Sequence, residues 1–253
     1  MSKFKYLNNE ERSKLALQKF DREGVLSMLI DYETPLIFDV GANHGASIDQ
    51  FKRIWPQSII HCFEPQHECW QDLEKFQNQY KDKTIHINKF ALGSTQDEKS
   101  FYTHDISSGM SGFNKINIKS KDSLNLKNIN DSNGLNEYMS TINHERKVLI
   151  ETPKNYIQKN GIDRINLLKI DTQGHEPEIL KGFDDYLNIV DIVLTELMFY
   201  DFYEKSLNFY DIEQYLIPKG FKLFDISHIS KNPHNGRTDW VDLIYIKKDL
   251  NID

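Results

Sequence analysis

The chain has 253 residues, 27% of them charged and 39% hydrophobic, the make-up of one sizeable folded domain rather than a disordered chain. Its formal net charge is −7 with no dense Lys/Arg stripe, which argues against nucleic acid or an anionic membrane as the main partner. Two cysteines, Cys62 and Cys69, do not make a disulfide-built secreted scaffold.

Residues 1–5 lead into the polar run 8–12, with no apolar core of a signal peptide. The longest apolar run, 189–199, is broken by Asp191 and Glu196 and is too short to span a bilayer, so a soluble cytoplasmic protein is expected. Leu15, Leu17, Phe20, Val25, Leu26 and Leu29 recur at helical spacing. They predict one or two helices packed on the edge of the main sheet, within an N-terminal segment 1–34. Residues 36–40 are a short apolar strand. Ile48, Phe51, Ile54 and Trp55 share one helical face, and Pro56 ends that helix. Residues 59–63 form a second strand, Trp70, Leu73, Phe76 and Tyr80 mark a helix, and 84–92 reads as a third strand.

Residues 95–145 break the rhythm. They are rich in Ser, Asn, Lys and Asp, with Gly109, Gly112 and Gly134 as turn signals, and read as a lid or insertion. Order resumes with a strand at 147–152 and a helix at 154–160, then a buried strand at 165–170 and a helix at 179–187. A strand at 189–197 and a helix at 209–216 follow, and two closing strands at 221–226 and 240–246. Strands alternating with helices imply one α/β domain over 1–253, built on a doubly wound parallel sheet with an antiparallel pair at one edge.

In such sheets ligands sit beyond the carboxyl ends of the strands. The first strand ends in Asp39-Val40-Gly41-Ala42-Asn43-His44-Gly45. Glycines there permit positive φ and leave no Cβ in a ligand's way, and the next helix points free N–H groups at an anion. The second strand ends in Phe63-Glu64-Pro65, an acid placed to accept hydrogen bonds from two ribose hydroxyls. The third ends in Phe90-Ala91-Leu92-Gly93, whose small apolar groups could flank a purine. Together these ends imply an adenosine-containing ligand. The middle glycine of a dinucleotide fingerprint is missing, so a ligand without pyrophosphate, such as S-adenosylmethionine, suits the loop better.

These stretches, with Leu168-Lys169-Ile170-Asp171-Thr172-Gln173-Gly174-His175-Glu176 and Leu180-Lys181-Gly182, resemble the FkbM-type methyltransferases over about residues 36–246. The resemblance implies the class I methyltransferase (Rossmann-like) fold, seven strands with a reversed last strand. It implies an S-adenosylmethionine cofactor and a hydroxyl acceptor on a sugar, glycan, polyketide or related metabolite. Residues 125–145 have no clear counterpart in the family and read as an insertion.

Methyl transfer needs in-line alignment and a group to take the hydroxyl proton. His175 is the favoured base, four residues past Asp171, with an ordinary pKa near 6.5. Asp171 ends the fourth strand and is expected to fix the cofactor's amino group, orient the acceptor or ligate a metal. Glu196 ends the fifth strand and would pair with it. Two carboxylates are a thin site for Mg²⁺, so metal dependence is the less favoured route. Glu176 and Glu178 suit a first helical turn, where the macrodipole favours acids. His44 reads as a loop residue near the cofactor carboxylate. Residues 107–113 read as a lid over the acceptor. Phe199, Tyr200, Phe202 and Tyr203 suit a sugar face, and equally core packing or a homodimer contact. The rival readings are an NAD(P)-dependent oxidoreductase, against which the missing glycine counts, and a non-catalytic binding subunit. The intact Asp39, Gly41, Gly45 and Glu64 set argues against the latter.

Overall fold

The computed structural model describes residues 7–80, 84–125 and 132–250. Residues 1–6 of the expected N-terminal segment and 126–131 of the expected insertion lie outside the described residues.

Asn8 caps α1 (Asn9–Lys19) through a reciprocal box with Glu11. Asp21 caps α2 (Arg22–Leu29) by accepting from the Gly24 amide. Only α2 packs on the sheet. Val25, Leu26 and Leu29 are buried, whereas Leu15 and Leu17 are exposed, contrary to the expectation for the first helix. Then follow β1 (Leu36–Val40), α3 (Ala46–Ile54), β2 (Ile59–Phe63) and α4 (His67–Gln79). The run read as one third strand is two, β3 (Ile85–Asn88) and β4 (Ala91–Leu92). The segment expected to be irregular contains a further strand, β5 (Asp97–Thr103), a 3-10 turn (Ser108–Met110) and helices α5 (Lys121–Asn125) and α6 (Ser132–Met139). β6 (His144–Glu151), α7 (Pro153–Asn160), β7 (Ile165–Ile170), α8 (Glu176–Phe183), β8 (Val190–Met198), α9 (Phe209–Leu216), β9 (Phe221–Lys231) and β10 (Thr238–Lys247) complete the chain.

The main sheet has seven strands in the order β3-β2-β1-β7-β8-β10-β9. β10 runs antiparallel to both β8 and β9, and the pairings from β3 to β8 are parallel. This is the class I methyltransferase arrangement expected from the sequence. Strand order reverses between β1 and β7, so the crevice for a ligand opens there. A second, three-stranded sheet, β4-β6-β5, stands beside it. β5 escapes a reading by pattern because it begins with Asp97, Glu98 and Lys99 and buries only Phe101 fully.

Alternate residues of the central strands fill two cores, one on each face. Phe38, Phe63, Leu168 and Ile170 pack beneath α7, α8 and α9 with Phe183 and Ile212. Ile37, Ile60, Leu167 and Ile192 pack against Leu26, Ile48, Phe51 and Leu73 from α2, α3 and α4. Two-sided burial holds the carboxyl ends of β1, β2 and β7 in fixed register. A third cluster of Ile116, Tyr138, Ile142, Phe202 and Tyr203 joins the segment after β5 to the loop after β8. No helix among the described residues is long and apolar enough to cross a membrane.

Candidate active site

At the end of β1 the chain turns through Gly41, with φ of +81°. A Cβ there would lie 1.9 Å from the backbone oxygen of Asp171, so two strand ends meet where only glycine fits. Gly45, at φ +86°, has a different role from the expected one. Its missing Cβ leaves room for the Phe76 ring of α4, 2.8 Å from where that atom would stand, and not for a ligand. Asp39 is fully buried and stands beside Lys169 of β7 in the strand register. Lys169 Nζ lies 3.0 Å from Asp39 Oδ1 and donates to the Gly41 carbonyl at 3.3 Å, while Ser47 Oγ donates to the other Asp39 oxygen. Asp39 therefore clamps the loop from beneath and does not line the cavity, a correction to its expected cofactor contact. Burial by itself would loosen the Lys169 proton, but the charges of Asp39 and then Asp171 more than reverse this and raise its pKa. Lys169 was visible in sequence as a lysine inside an apolar strand, but its role was not. His44 is also corrected: it is exposed and pairs with Asp72 of α4 at 2.7 Å.

Beyond these strand ends lies a cavity with about 560 Å³ of empty space. Glu64 sits on one wall, only 2% exposed, with Pro65 beside it. Its two oxygens accept from the backbone amides of Asn43 and Gln66, each at 2.8 Å, which leaves lone pairs on both for a ligand. Burial raises its proton affinity, and those amides oppose the rise. Ala91 and Leu92 line the apolar end. Phe101 of β5 meets Phe113 edge-on, with centroids 5.2 Å apart, and Phe113 lies 4.1 Å from the His175 ring. The sequence reading misses Phe101, which sits on the hidden strand, and takes Phe113 only as the end of the 107–113 lid.

His175 does not fit a general base. It is 7% exposed and packed on Phe113, and burial lowers its pKa to about 4. It is a neutral ring in the cavity wall, and its Nε2 is a buried polar atom without a hydrogen-bond partner. Ser111 Oγ is another in the same wall. Residues 107–113 close the cavity. Ser108 Oγ donates to Asn43 Oδ1 at 2.8 Å, and Gln66 Nε2 to the Ser108 carbonyl at 3.2 Å. Tyr203 OH stands 2.9 Å from the Met110 carbonyl and 2.8 Å from Gln173 Oε1. Phe202 and Tyr203 are buried in the third core, so they offer no free sugar-stacking face.

Asp171 lines both this cavity and a wide cleft on its other side, whereas Glu196 lines the cleft and not the cavity. Gln173 Nε2 bridges them, 2.9 Å from Asp171 Oδ1 and 3.4 Å from Glu196 Oε1. Burial, then the charges of Asp171, Glu176 and Asp242, raise the Glu196 pKa far above the carboxylate range. Glu176 accepts from the amides of Thr172 and Gly174 and so holds the loop after β7. Among the described residues no group of three or more His, Cys, Asp or Glu is arranged to hold a metal ion.

The family described as "Methyltransferase FkbM domain" matches residues 39–223, and the chain belongs to it. "Methyltransferase 1" of Beauveria bassiana (strain ARSEF 2860) is 25% identical over 164 residues, 64% of each chain. "2-O-methyltransferase NoeI" of Sinorhizobium fredii (strain NBRC 101917 / NGR234) is 22% identical over 191 residues, 71% of this chain and 70% of that one. The crystal structure of methyltransferase FkbM from Methylobacillus flagellatus KT superposes with a TM-score of 0.52 at 12% identity, over 87% of this chain and 47% of that one, a likeness of fold. The chain thus spans 64% of the Beauveria relative and under half of the crystallised one.

Proposed function

We propose that this protein is an S-adenosylmethionine-dependent O-methyltransferase acting on a hydroxyl of a sugar, glycan or related metabolite. The observation that carries the reading is the cavity at the strand-order switch. It has a buried carboxylate on one wall, an aromatic end, and two orphaned polar atoms, His175 Nε2 and Ser111 Oγ. That donor and acceptor set fits an adenosine. Glu64 would accept from the ribose hydroxyls. Leu92, Phe101, Phe113 and His175 would enclose the purine, with His175 Nε2 and Ser111 Oγ toward its polar edge. When bound, the cofactor supplies a methyl group on a sulfonium, so the hydroxyl oxygen gains the methyl, the C–S electron pair stays on sulfur and the oxygen's proton is released.

Asp171, which borders the cavity and the cleft together, is the group that meets that proton, and Glu196, held toward its protonated form by burial and by its acidic neighbours, orients the acceptor from the cleft floor. The Gln173 amide fixes the pair, which places most of the acceleration in alignment. Membership of a methyltransferase family supports this reading over the nicotinamide one. The printed name of the Sinorhizobium relative supports oxygen as the methylated atom. Calorimetric titration of the purified protein with S-adenosylhomocysteine, with NAD as control, tests it. Micromolar binding of the former alone is expected, and binding of NAD alone, or of neither, overturns it.

A further inference from the structure

We propose that the acceptor occupies the cleft between α2–α3 and β8–β10, and that this cleft selects an uncharged polyhydroxylated ring, a neutral sugar unit, over phosphorylated or carboxylated ones. The inference rests on the methyltransferase reading above and adds to it a place and a selectivity.

The cleft has about 510 Å³ of accessible volume, within the range for small-molecule sites. Its floor is the Asp171 and Glu196 pair, and through Asp171 it adjoins the cofactor cavity. Its walls are Asp21 and the first turn of α2 with Arg22 and Glu23, Gln50 of α3, and Ser227, His228, Trp240 and Asp242 of the β9–β10 hairpin. Every residue lining the cofactor cavity falls within the family match at 39–223, whereas Arg22 and the four hairpin residues fall outside it. The matched region therefore supplies the whole lining of the cofactor cavity and the floor of the cleft, and residues on either side of it complete the cleft.

The charges of the cleft decide what it accepts. Asp242 stands opposite Glu196 in the β8–β10 register, and like charges directly opposite are destabilising. Arg22 offsets Asp242 at 2.6 Å and also donates to Gln50 Oε1 at 3.2 Å. Its charge is thereby set against that of Asp242. Arg22 is the one Lys or Arg among the described lining residues and already pairs with Asp242, so a phosphate or carboxylate entering here would meet an excess of acidic side chains, Asp21, Glu23 and Asp171 among them. Neutral hydroxyls suit the same lining, because each can donate to an acid and accept from the Gln50 amide. Ser227 Oγ is buried without a partner at the hairpin wall, and Trp240 supplies an indole for a ring face.

The test uses the full chain with S-adenosylmethionine. The probes are methyl glycosides of glucose, galactose and mannose, each beside its 6-phosphate, with glucuronate as a carboxylated control. Methyl transfer is read by mass spectrometry, and S-adenosylhomocysteine affinity is measured in parallel for every variant. Turnover of at least one neutral glycoside is expected, with kcat/KM at least tenfold above its 6-phosphate. Trp240→Ala should raise the acceptor KM at least tenfold, with S-adenosylhomocysteine affinity within twofold. Asp242→Asn frees Arg22 and should narrow the preference for the neutral sugar at least fivefold. A protein that binds S-adenosylhomocysteine but prefers the charged acceptors overturns the assignment of the cleft and leaves the cofactor reading standing. So does one that methylates none of the glycosides, or whose acceptor KM ignores both substitutions. Loss of S-adenosylhomocysteine binding in the unmodified protein overturns both.

Discussion

Glu64 is held by backbone amides on both sides, and under the proposed function it is the acceptor for the ribose hydroxyls. Glu64→Ala removes the group facing the ribose and orphans the amides of Asn43 and Gln66. The orphaned amides cost stability, and the two ribose hydrogen bonds to a carboxylate, each worth about 1.5–3 kcal/mol, are lost from binding, so S-adenosylhomocysteine affinity should fall at least thirtyfold. Calorimetry on a variant with unchanged circular dichroism checks this, and an unchanged Kd would remove Glu64 from the cofactor site. His175 calls for the opposite pairing of measurements. A general base would show in kcat and its pH profile, whereas a wall residue shows in binding. His175→Asn should weaken S-adenosylhomocysteine binding about fivefold to twentyfold. It should leave kcat at saturating cofactor within about threefold, because a neutral ring with a pKa near 4 takes no proton at neutral pH. A hundredfold fall in kcat with intact binding would restore it as the base. The strand ends were legible in sequence, since Glu64, Ala91, Leu92 and Asp171 all border the cavity. Which way a side chain points from a strand end was not. Asp39 follows Phe38 and precedes Val40, and only the register that sets it against Lys169 turns it away from the ligand.

At the scale of elements, the site depends on backbone contacts that a substitution can probe one at a time. Gly41 and Gly161 both have positive φ, at +81° and +63°, but only Gly41 touches other atoms. Gly161 ends α7 with nothing within 4 Å of its absent Cβ, so Gly161→Ala should cost about 1–2 kcal/mol, the ordinary penalty for a left-handed residue. Gly41→Ala bears that penalty and also drives a methyl into the Asp171 carbonyl. A loss of about 3–5 kcal/mol is expected, which thermal melts would read as roughly 6–20 °C. Equal losses at the two positions would show that the turn after β1 relaxes freely and that its contact with β7 does not hold the site. The central strands were readable because burial on both faces gives mainly apolar runs, as in residues 36–40 and 165–170, interrupted only by Asp39, Asn166 and Lys169. The three-stranded sheet was not readable. β4 is two residues long, and β5 and β6 are separated by the 104–143 excursion, so no local pattern announces that they pair.

For the whole molecule, the cost of keeping four carboxyl groups around the junction of cavity and cleft should appear in the pH dependence of stability. Glu196 is drawn toward its protonated form by burial and by Asp171, Glu176 and Asp242. Its folded pKa therefore lies above its unfolded value near 4.5. Below that value both states carry the proton, and the site's contribution is fully present. As pH rises through the unfolded value the unfolded chain releases its proton while the folded protein retains it. Folding then requires proton uptake, and the contribution falls until the folded carboxyl ionises. Glu196→Gln has no such proton to lose. The variant should melt with the wild type near pH 4 and rise above it as pH increases. At pH 8 it should lead by about 1–2 kcal/mol, or roughly 2–8 °C. Because the wild-type carboxyl is itself protonated at neutral pH, the same substitution should leave methyl transfer at pH 7 within about tenfold. Melts from pH 4 to 8.5 at constant ionic strength decide the matter. A gap that stays flat across that range would mean that Glu196 is ionised throughout and that its acidic neighbours exert no hold on its proton. A gap that opens with pH while turnover holds would show that Glu196 works in its protonated form, whereas a collapse of turnover at pH 7 would show that the reaction uses its carboxylate.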